Sequence, residues 1–337
     1  MIEWLYSKIF IAIVPEGENF DVRVVTFKRK KLLTKENKYF EGQSSFEMMM
    51  KFLRKQIQES PLHYIAILNP DAKQGALSGC SFNEFDNVLT VCRKNKWHLY
   101  TSLQEVETLK KTYSDVGIDF IFSPFSVIEH FFVDKIDTGF ALYALAQKDS
   151  LSIAFFDEGI LEYAHHYPNH AKEVTLSKEE VGSEFTVGID DELENQKGID
   201  LDDIESLDDL DIIDELDSLS DIEDLDTLED IVEFHEDEPT LEEKNSVVQN
   251  LDEIKQEMDH FNDDYGRFEI IQKTLEHFYA SKECRNRFVE TIYIADAYGS
   301  GSELKRYLEE ELFLNVLIRR INVGDEVISL SMNEEEG

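Results

Sequence analysis

Apolar residues recur along this chain in three rhythms, and each rhythm predicts a different element. Lys8 to Val14 and Phe20 to Lys28 are β-branched and aromatic runs that read as strands joined by the turn Pro15-Glu-Gly-Glu-Asn19. Lys28-Arg29-Lys30-Lys31 follows as a solvated hairpin tip. Phe46, Met49, Met50, Leu53 and Ile57 then fall at helical spacing after Ser44-Ser45, which can cap the helix, and Pro61 stands just past its end. Met49 and Met50 lie on its apolar face, where methionine is core filler more often than a binding surface. Leu62 to Leu68 and Trp97 to Thr101 read as strands, and Leu103 to Tyr113 as a helix that Gly117 stops. Ile118 to Phe122 is a short strand, after which Ser123-Pro124 sets a cap and an N1 proline on the helix Phe125 to Phe132.

A second series resembles the first. Phe140 to Ala146, Leu151 to Phe156 and Ile160 to His165 read as strands, the latter two joined by the hairpin signal Asp157-Glu-Gly159. Much further along, Val247 to Phe261 and Arg267 to Tyr279 have helical patterns. Thr291 to Ala295 is a strand, Ser302 to Leu312 a helix and Val316 to Arg319 a final strand.

The stretch between the two parts of this second series follows neither rhythm. Leu201, Ile204, Leu207, Leu210, Ile213, Leu216, Leu219, Ile222, Leu225, Leu228, Ile231 and Phe234 repeat at period three. On an α-helix a three-residue step lags by about 60°, so the stripe winds round the helix and never forms one face. A strand would need period two. Composition agrees, because Ile189 to Glu243 holds 26 acidic residues and one basic residue in 55 positions. The segment reads as a low-complexity, acidic-hydrophobic and largely disordered insertion over 175–245. It serves either as a solubilising spacer or as a docking tract of many weak equivalent sites built on those twelve apolar residues. It lacks the glycine and the ligand spacing of an EF-hand loop.

Charge changes the picture once it is divided. The formal net charge of the 337 residues is −39, of which the tract holds −25, leaving −14 for the remainder. Nucleic acid and anionic membrane surfaces are therefore disfavoured as direct partners, most strongly for the tract. Three cysteines, Cys80, Cys92 and Cys284, form no C-x-x-C pair, so neither a disulfide framework nor a cysteine-rich zinc site is expected, and a reducing cytoplasm fits. The N-terminal residues Met1 to Lys8 lack a basic leader, and no apolar run approaches the roughly 20 residues of a spanning helix.

Hairpin, helix, strand and helix thus occur once before about Lys135 and again after it, a pattern of two related α/β lobes. Gly117-Ile-Asp-Phe-Ile-Phe-Ser-Pro-Phe-Ser126, Leu142 to His165, and Ile292-Tyr-Ile-Ala-Asp-Ala-Tyr-Gly-Ser-Gly-Ser-Glu-Leu304 carry a resemblance to the duplicated actin-like (ribonuclease-H-like) fold. The likeness is to the PilM type of pilus-assembly protein and to the cytoplasmic domain of the L-type protein of type II secretion. It implies a first lobe at 1–135, a second lobe opening at 136–174 and resuming at 246–330 after the acidic insertion, and an acidic tail at 331–337.

The same resemblance locates candidate chemistry. Actin-like ATPases place Asp-x-Gly turns in the first hairpin of each lobe, where glycine lets the backbone approach phosphate and the acid positions magnesium or water. Here the first turn is Val14-Pro15-Glu16-Gly17, without the aspartate, and the second, Tyr143 to Ser150, has no glycine. Asp157-Glu158-Gly159 matches in letters but sits one turn too late. Gly299, Ser300, Gly301 and Ser302 form a glycine turn before a helix N-terminus, read either as an adenosine or anion contact or as an ordinary tight turn. His165, His166 and His170 are read as solvent-facing at a strand end and loop, ahead of a metal site. No H-E-x-x-H, P-loop or G-x-S-x-G motif is present. Cys80 beside Gly79 has nothing basic close in sequence to activate it.

The expected function is a cytoplasmic scaffold, without hydrolysis of its own and with either no cofactor or ATP. It would be held peripherally at the inner membrane in a type IV pilus, type II secretion or DNA-uptake (transformation competence) machine. The resemblance implies as partners the cytoplasmic tail of a single-span membrane subunit and the motor ATPase, and it leaves a homodimer open. Two alternatives stand beside it: an active actin-like ATPase, and an acidic docking protein acting through 189–243.

Overall fold

The computed structural model describes residues 6–29, 31–80, 87–93, 96–168, 263–281, 287–299 and 302–336. The insertion over 175–245, its twelve apolar residues and the helix expected at Val247 to Phe261 lie outside them, as do His170, Ser300 and Gly301. Both sheets belong to one compact unit, Met1–Val174 with Asp252–Gly337.

The first sheet has the order β3-β2-β1-β4-β8, with β1 Lys8–Glu16, β2 Asn19–Lys28, β3 Lys31–Phe40, β4 Leu62–Leu68 and β8 Phe120–Phe122. The second has the order β11-β10-β9-β12-β13, with β9 Ala141–Ala146, β10 Ser150–Asp157, β11 Ile160–Pro168, β12 Thr291–Asp296 and β13 Asn315–Arg320. The orders are the same when each sheet is counted from its own first strand. In both, the first three strands form an antiparallel meander and the last two run parallel to the first. This is the duplicated actin-like, ribonuclease-H-like arrangement.

Central strands buried on both faces have continuous apolar sequences, and alternation along them divides the interior into three cores. Ile9, Ile11 and Ile13 of β1 face α1 (Ser45–Ile57) with Met49 and Leu53. Leu142 and Ala144 of β9, with Ile153 and Phe155 of β10, face α4 (residues 263–280) and α5 (Ser302–Glu311). The opposite faces, including Phe10, Ala12, Tyr143 and Phe156, share a central core with α3 (Pro124–Phe131) and α6 (Val323–Glu336). At α3, the Ser123 hydroxyl accepts the Phe125 N–H and proline takes the first turn, as its sequence predicts.

Several features depart from the sequence expectations. β3 is absent from the predicted elements because the middle of Lys31–Phe40, Thr34 to Lys38, is polar on both faces and the strand is exposed along nearly its whole length. Strands β5 (Gly75–Ser78) and β6 (Val88–Arg93) join β7 (Trp97–Ser102) in a small three-stranded sheet. Before β8, that sheet is followed by α2 (Leu103–Thr112). There Cys80 and Cys92 form a disulfide, Cα atoms 5.7 Å apart, against the expectation of no disulfide framework. The strand order β5-β7-β6 carries the chain after β5 back toward β6, a proximity that spacing along the chain does not reveal. Residues 331–336, expected as an acidic tail, are helical: Val327, Leu330 and Ser331 are buried, and α6 packs on β1, β2, β4 and α3. Lys8–Glu335, Arg93–Glu334 and His130–Glu326 tie its acids down. Ser44 makes no side-chain cap on α1; Ser45 instead donates its hydroxyl to the Glu18 carbonyl, fastening the helix to the β1–β2 turn.

Candidate functional site

The duplicated topology sends matching turns toward one another. The β1–β2 turn, the β9–β10 turn and the ends of β4 and β11 line a cleft of about 400 Å3. Gly17 occupies the first position of a two-residue loop, closed by the pairing of Glu16 with Asn19, at φ +60°. That left-handed geometry is the reason for glycine there. Across the cleft the β9–β10 turn projects Asp149, and a Cβ on Gly17 would stand 3.1 Å from Asp149 Oδ2.

The electrostatics are those of an acid pocket. Among the described residues that line the cleft are Glu18, Asp149 and His166, and none is lysine or arginine. Next to it, burial raises the Glu16 carboxyl above the usual carboxylate range, a shift that Tyr39 opposes by donating a 3.1 Å hydrogen bond and Lys148 by its charge, and to which Asp21 and Asp149 add. The Tyr39 phenol is itself pushed up to about 12, by burial first and then by Glu16. His166, expected at a solvent-facing strand end, is buried against Ser152, whose hydroxyl lies 2.8 Å from Nδ1. Alternation along β11 explains this, because His165 faces out and His166 faces in. Burial brings His166 down to about 4, with His165 adding to the effect, so it is neutral near pH 7 and lends the cleft no positive charge.

The glycine turn after β12 is engaged by its own neighbours. The buried Asp296 carboxylate accepts the N–H groups of Tyr298 at 3.2 Å and Gly299 at 2.9 Å. Gly299 has φ +98° and lies beside the Arg320 guanidinium. Ser302 begins α5, whose Leu304 N–H donates to Asp264 at 3.3 Å, so the dipole end of this helix already holds a carboxylate. Arg267 completes the arrangement: it is 1 % exposed, reaches Asp264 at 3.5 Å, donates to the Gln147 carbonyl at 3.0 Å and packs 5.2 Å from the centre of the Tyr298 ring. It therefore links the glycine turn to the β9–β10 turn of the cleft.

Chemically, a phosphate entering this cleft meets carboxylates, while Gly299 N–H, a donor the sequence reading had offered it, points at Asp296. Two unit charges of like sign about 4 Å apart repel by roughly 4 kcal/mol at an effective dielectric of 20. No group of three or more His, Cys, Asp or Glu among the described residues is arranged to hold a metal ion. The Asp157-Glu158-Gly159 turn has a structural part, with Asp157 paired to Arg287 and Gly159 N–H donating to the Ile136 carbonyl at 2.9 Å.

Asp264, Arg267 and Asp296 were not singled out from the sequence. A signal for Arg267 was present, since it shares the apolar helical stripe of Ile271, Leu275 and Phe278, and a charge on such a stripe needs a buried partner.

Two family models match the sequence, one described as Domain of unknown function (DUF8341) over residues 142–336 and one as Domain of unknown function (DUF8569) over residues 6–129. No curated protein matches. Among solved structures, a Bacteroides thetaiotaomicron protein with an actin-like ATPase fold and unknown function is 9% identical, with 96% of this chain and 95% of that chain covered and a TM-score of 0.45. The PilM-PilN type IV pilus biogenesis complex is 9% identical, covering 94% and 89%, with a TM-score of 0.49. The cytoplasmic domain of EpsL, an inner-membrane component of the Vibrio cholerae type II secretion system, is 7% identical over 48% of this chain and 71% of its own, with a TM-score of 0.28.

Proposed function

The chain belongs to the family described as Domain of unknown function (DUF8341), a description that names no activity, and we propose that it is an actin-like scaffold that does not hydrolyse nucleotide. It works on the cytoplasmic side of the inner membrane in a type IV pilus, type II secretion or DNA-uptake machine. There it holds the cytoplasmic tail of a single-span membrane subunit and links that subunit to the motor ATPase. No cofactor is needed for this role.

The observation that carries the reading is the approach of Asp149 to Gly17, with a Cβ at Gly17 only 3.1 Å from Oδ2. It narrows the space through which the Gly17 backbone would approach a phosphate, in a turn whose Pro15-Glu16 has lost the aspartate of the Asp-x-Gly pattern. The engagement of Gly299 N–H by Asp296 supports the same conclusion from the other side of the second lobe. The choice of machine rests on the sequence resemblance of the three segments quoted above. No helix among the described residues is long and apolar enough to cross a membrane, which suits attachment through a partner.

Two measurements test it. Magnesium-ATP at millimolar concentration should leave the melting temperature unchanged; a rise of several degrees would restore the ATPase alternative by mass action. Affinity purification from native cells should recover a single-span pilus or secretion subunit, and deleting that subunit's cytoplasmic tail should abolish recovery. Retention after the deletion, or recovery of no such subunit, overturns the scaffold reading.

A further inference from the structure

The groups that the cleft leaves unpaired define the chemistry that would complete it. Asp149 and Glu18 line it, and neither carboxylate makes a hydrogen bond or ion pair among the described residues. Lys148, on the same turn as Asp149, is outside the lining and acts on Glu16. Facing the same space are two nitrogens of side chains more than nine-tenths buried. Gln147 is 6% exposed; its Oε1 accepts the Ser150 hydroxyl at 3.4 Å, while Nε2 has no partner among the described residues. His166 is 7% exposed, with Nδ1 against Ser152. The Ser152 hydroxyl is fully buried and has no other partner among the described residues, so it donates to Nδ1 and leaves the proton of the neutral ring on Nε2. That Nε2–H likewise has no partner among the described residues.

Both donors are held in place from behind. The Gln147 N–H donates to the Ser150 carbonyl at 2.9 Å, and the Gln147 carbonyl takes the buried Arg267 at 3.0 Å. His166 stands directly opposite Ser152 in the pairing of β10 with β11. Buried polar groups are normally paired, so two such donors on one cavity call for an acceptor. A metal ion or a polyamine would satisfy the carboxylates and offer the two N–H groups nothing. A phosphate or a lone carboxylate would satisfy the N–H groups and be repelled by Asp149 and Glu18. A primary ammonium next to a carbonyl satisfies both sets, with three donors for the carboxylates and two lone pairs for the nitrogens. Leu68, Pro15, Pro70 and Pro168 add apolar wall, and about 400 Å3 is a small-ligand volume.

We propose that the cleft binds an α-ammonium group followed by a carbonyl, the chemistry shared by a free amino-acid amide and the N-terminus of a polypeptide. The ammonium meets Asp149 and Glu18, the carbonyl oxygen accepts from Gln147 Nε2 and His166 Nε2, and an apolar first side chain rests against Leu68 and the prolines. This rests on the reading of the cleft as closed to nucleotide.

The probes are L-leucinamide and the hexapeptide Leu-Ala-Gly-Ala-Gly-Ala, titrated with the full chain and followed by ligand NMR. Binding by either supports the proposal: leucinamide alone identifies a free amino-acid derivative as the source, and the hexapeptide a chain terminus. N-acetylation of the probe that binds should weaken it by about tenfold or more, as should Asp149→Asn. Isopentylamine, which keeps the ammonium and the side chain of leucinamide without its carbonyl, should bind about tenfold more weakly than leucinamide, and Gln147→Leu should narrow that difference. Absence of binding by both probes overturns the proposal, as does equal binding of the acetylated form or of isopentylamine. Magnesium-ATP separates the two readings. A melting rise with it removes the nucleotide-free reading and this proposal together, whereas failure of both probes with no ATP effect removes this proposal alone.

Discussion

Gly17 and Asp149 face each other across the cleft, with Asp149 Oδ2 3.1 Å from the position of a Cβ on Gly17. One residue comes from the first hairpin of the first sheet and the other from the matching hairpin of the second, so the contact is a direct consequence of the duplication. Replacing Gly17 by alanine meets two costs: a left-handed φ of +60° and crowding of the carboxylate. Gly17→Ala should destabilise by about 1–2 kcal/mol in chemical denaturation. Adding Asp149→Ala should recover the crowding part alone. Full recovery in the double variant would show that backbone strain at residue 17 contributes nothing.

Arg267 and Asp264 are buried together, at 1% and 2% exposure. Removing one charge from such a pair leaves the other desolvated, so Arg267→Met should cost about 3–5 kcal/mol. The double replacement Arg267→Met, Asp264→Asn should be milder than Arg267→Met alone. Urea unfolding of the three variants decides it; a double variant as unstable as the sum of the singles would rule out their coupling.

His166 sets a pH dependence of definite sign. Its folded value of about 4 lies below the ordinary 6.5, so the unfolded chain binds the proton more readily. This residue therefore has no destabilising effect above pH 6.5, loses stability for the fold as pH falls from 6.5 to about 4, and levels off below that, by at most about 3 kcal/mol. Glu16 and Asp21, whose carboxyls are raised chiefly by burial, act in the opposite sense. The comparison is thus the difference in unfolding free energy between the native chain and His166→Asn across pH 4–7. An NMR titration showing the His166 ring protonated at pH 6 would refute this.

The Cys80–Cys92 bond closes a loop of sequence separation 12. Chain entropy for a loop near that length gives about 3 kcal/mol. Reductant, or Cys80→Ser, should lower the melting temperature, and Cys284→Ser should leave that response to reductant unchanged. A reductant-insensitive melting curve in the native chain would contradict the pairing.

The helix faces, the hairpin turns and the repetition of α/β units were legible in the sequence because each is set by local spacing. Met49 and Met50 are buried, Gly159 turns its hairpin with φ +76°, and Ser123 caps α3, as their neighbours along the chain dictate. β3 and α6 were not legible. β3 takes its backbone pairing from β2 and its side-chain anchors from distant residues such as Asp325, which pairs with Lys35, and α6 ends in acids whose partners, such as Lys8 and Arg93, lie hundreds of residues away.

The candidate site divides in the same way. Loss of the first aspartate and of the second glycine was visible as missing letters, as was the concentration of negative charge in 189–243. That Asp149 reaches Gly17, that Asp296 takes the glycine-turn N–H groups and that Arg267 joins the two turns could be settled only by the tertiary structure. The sequence by itself determined the duplicated series of elements, since hydrophobic period and turn chemistry act over a few residues. Only folding decided which turns meet, because those contacts are made by strand order and by alternation across two sheets, neither of which is written in local spacing.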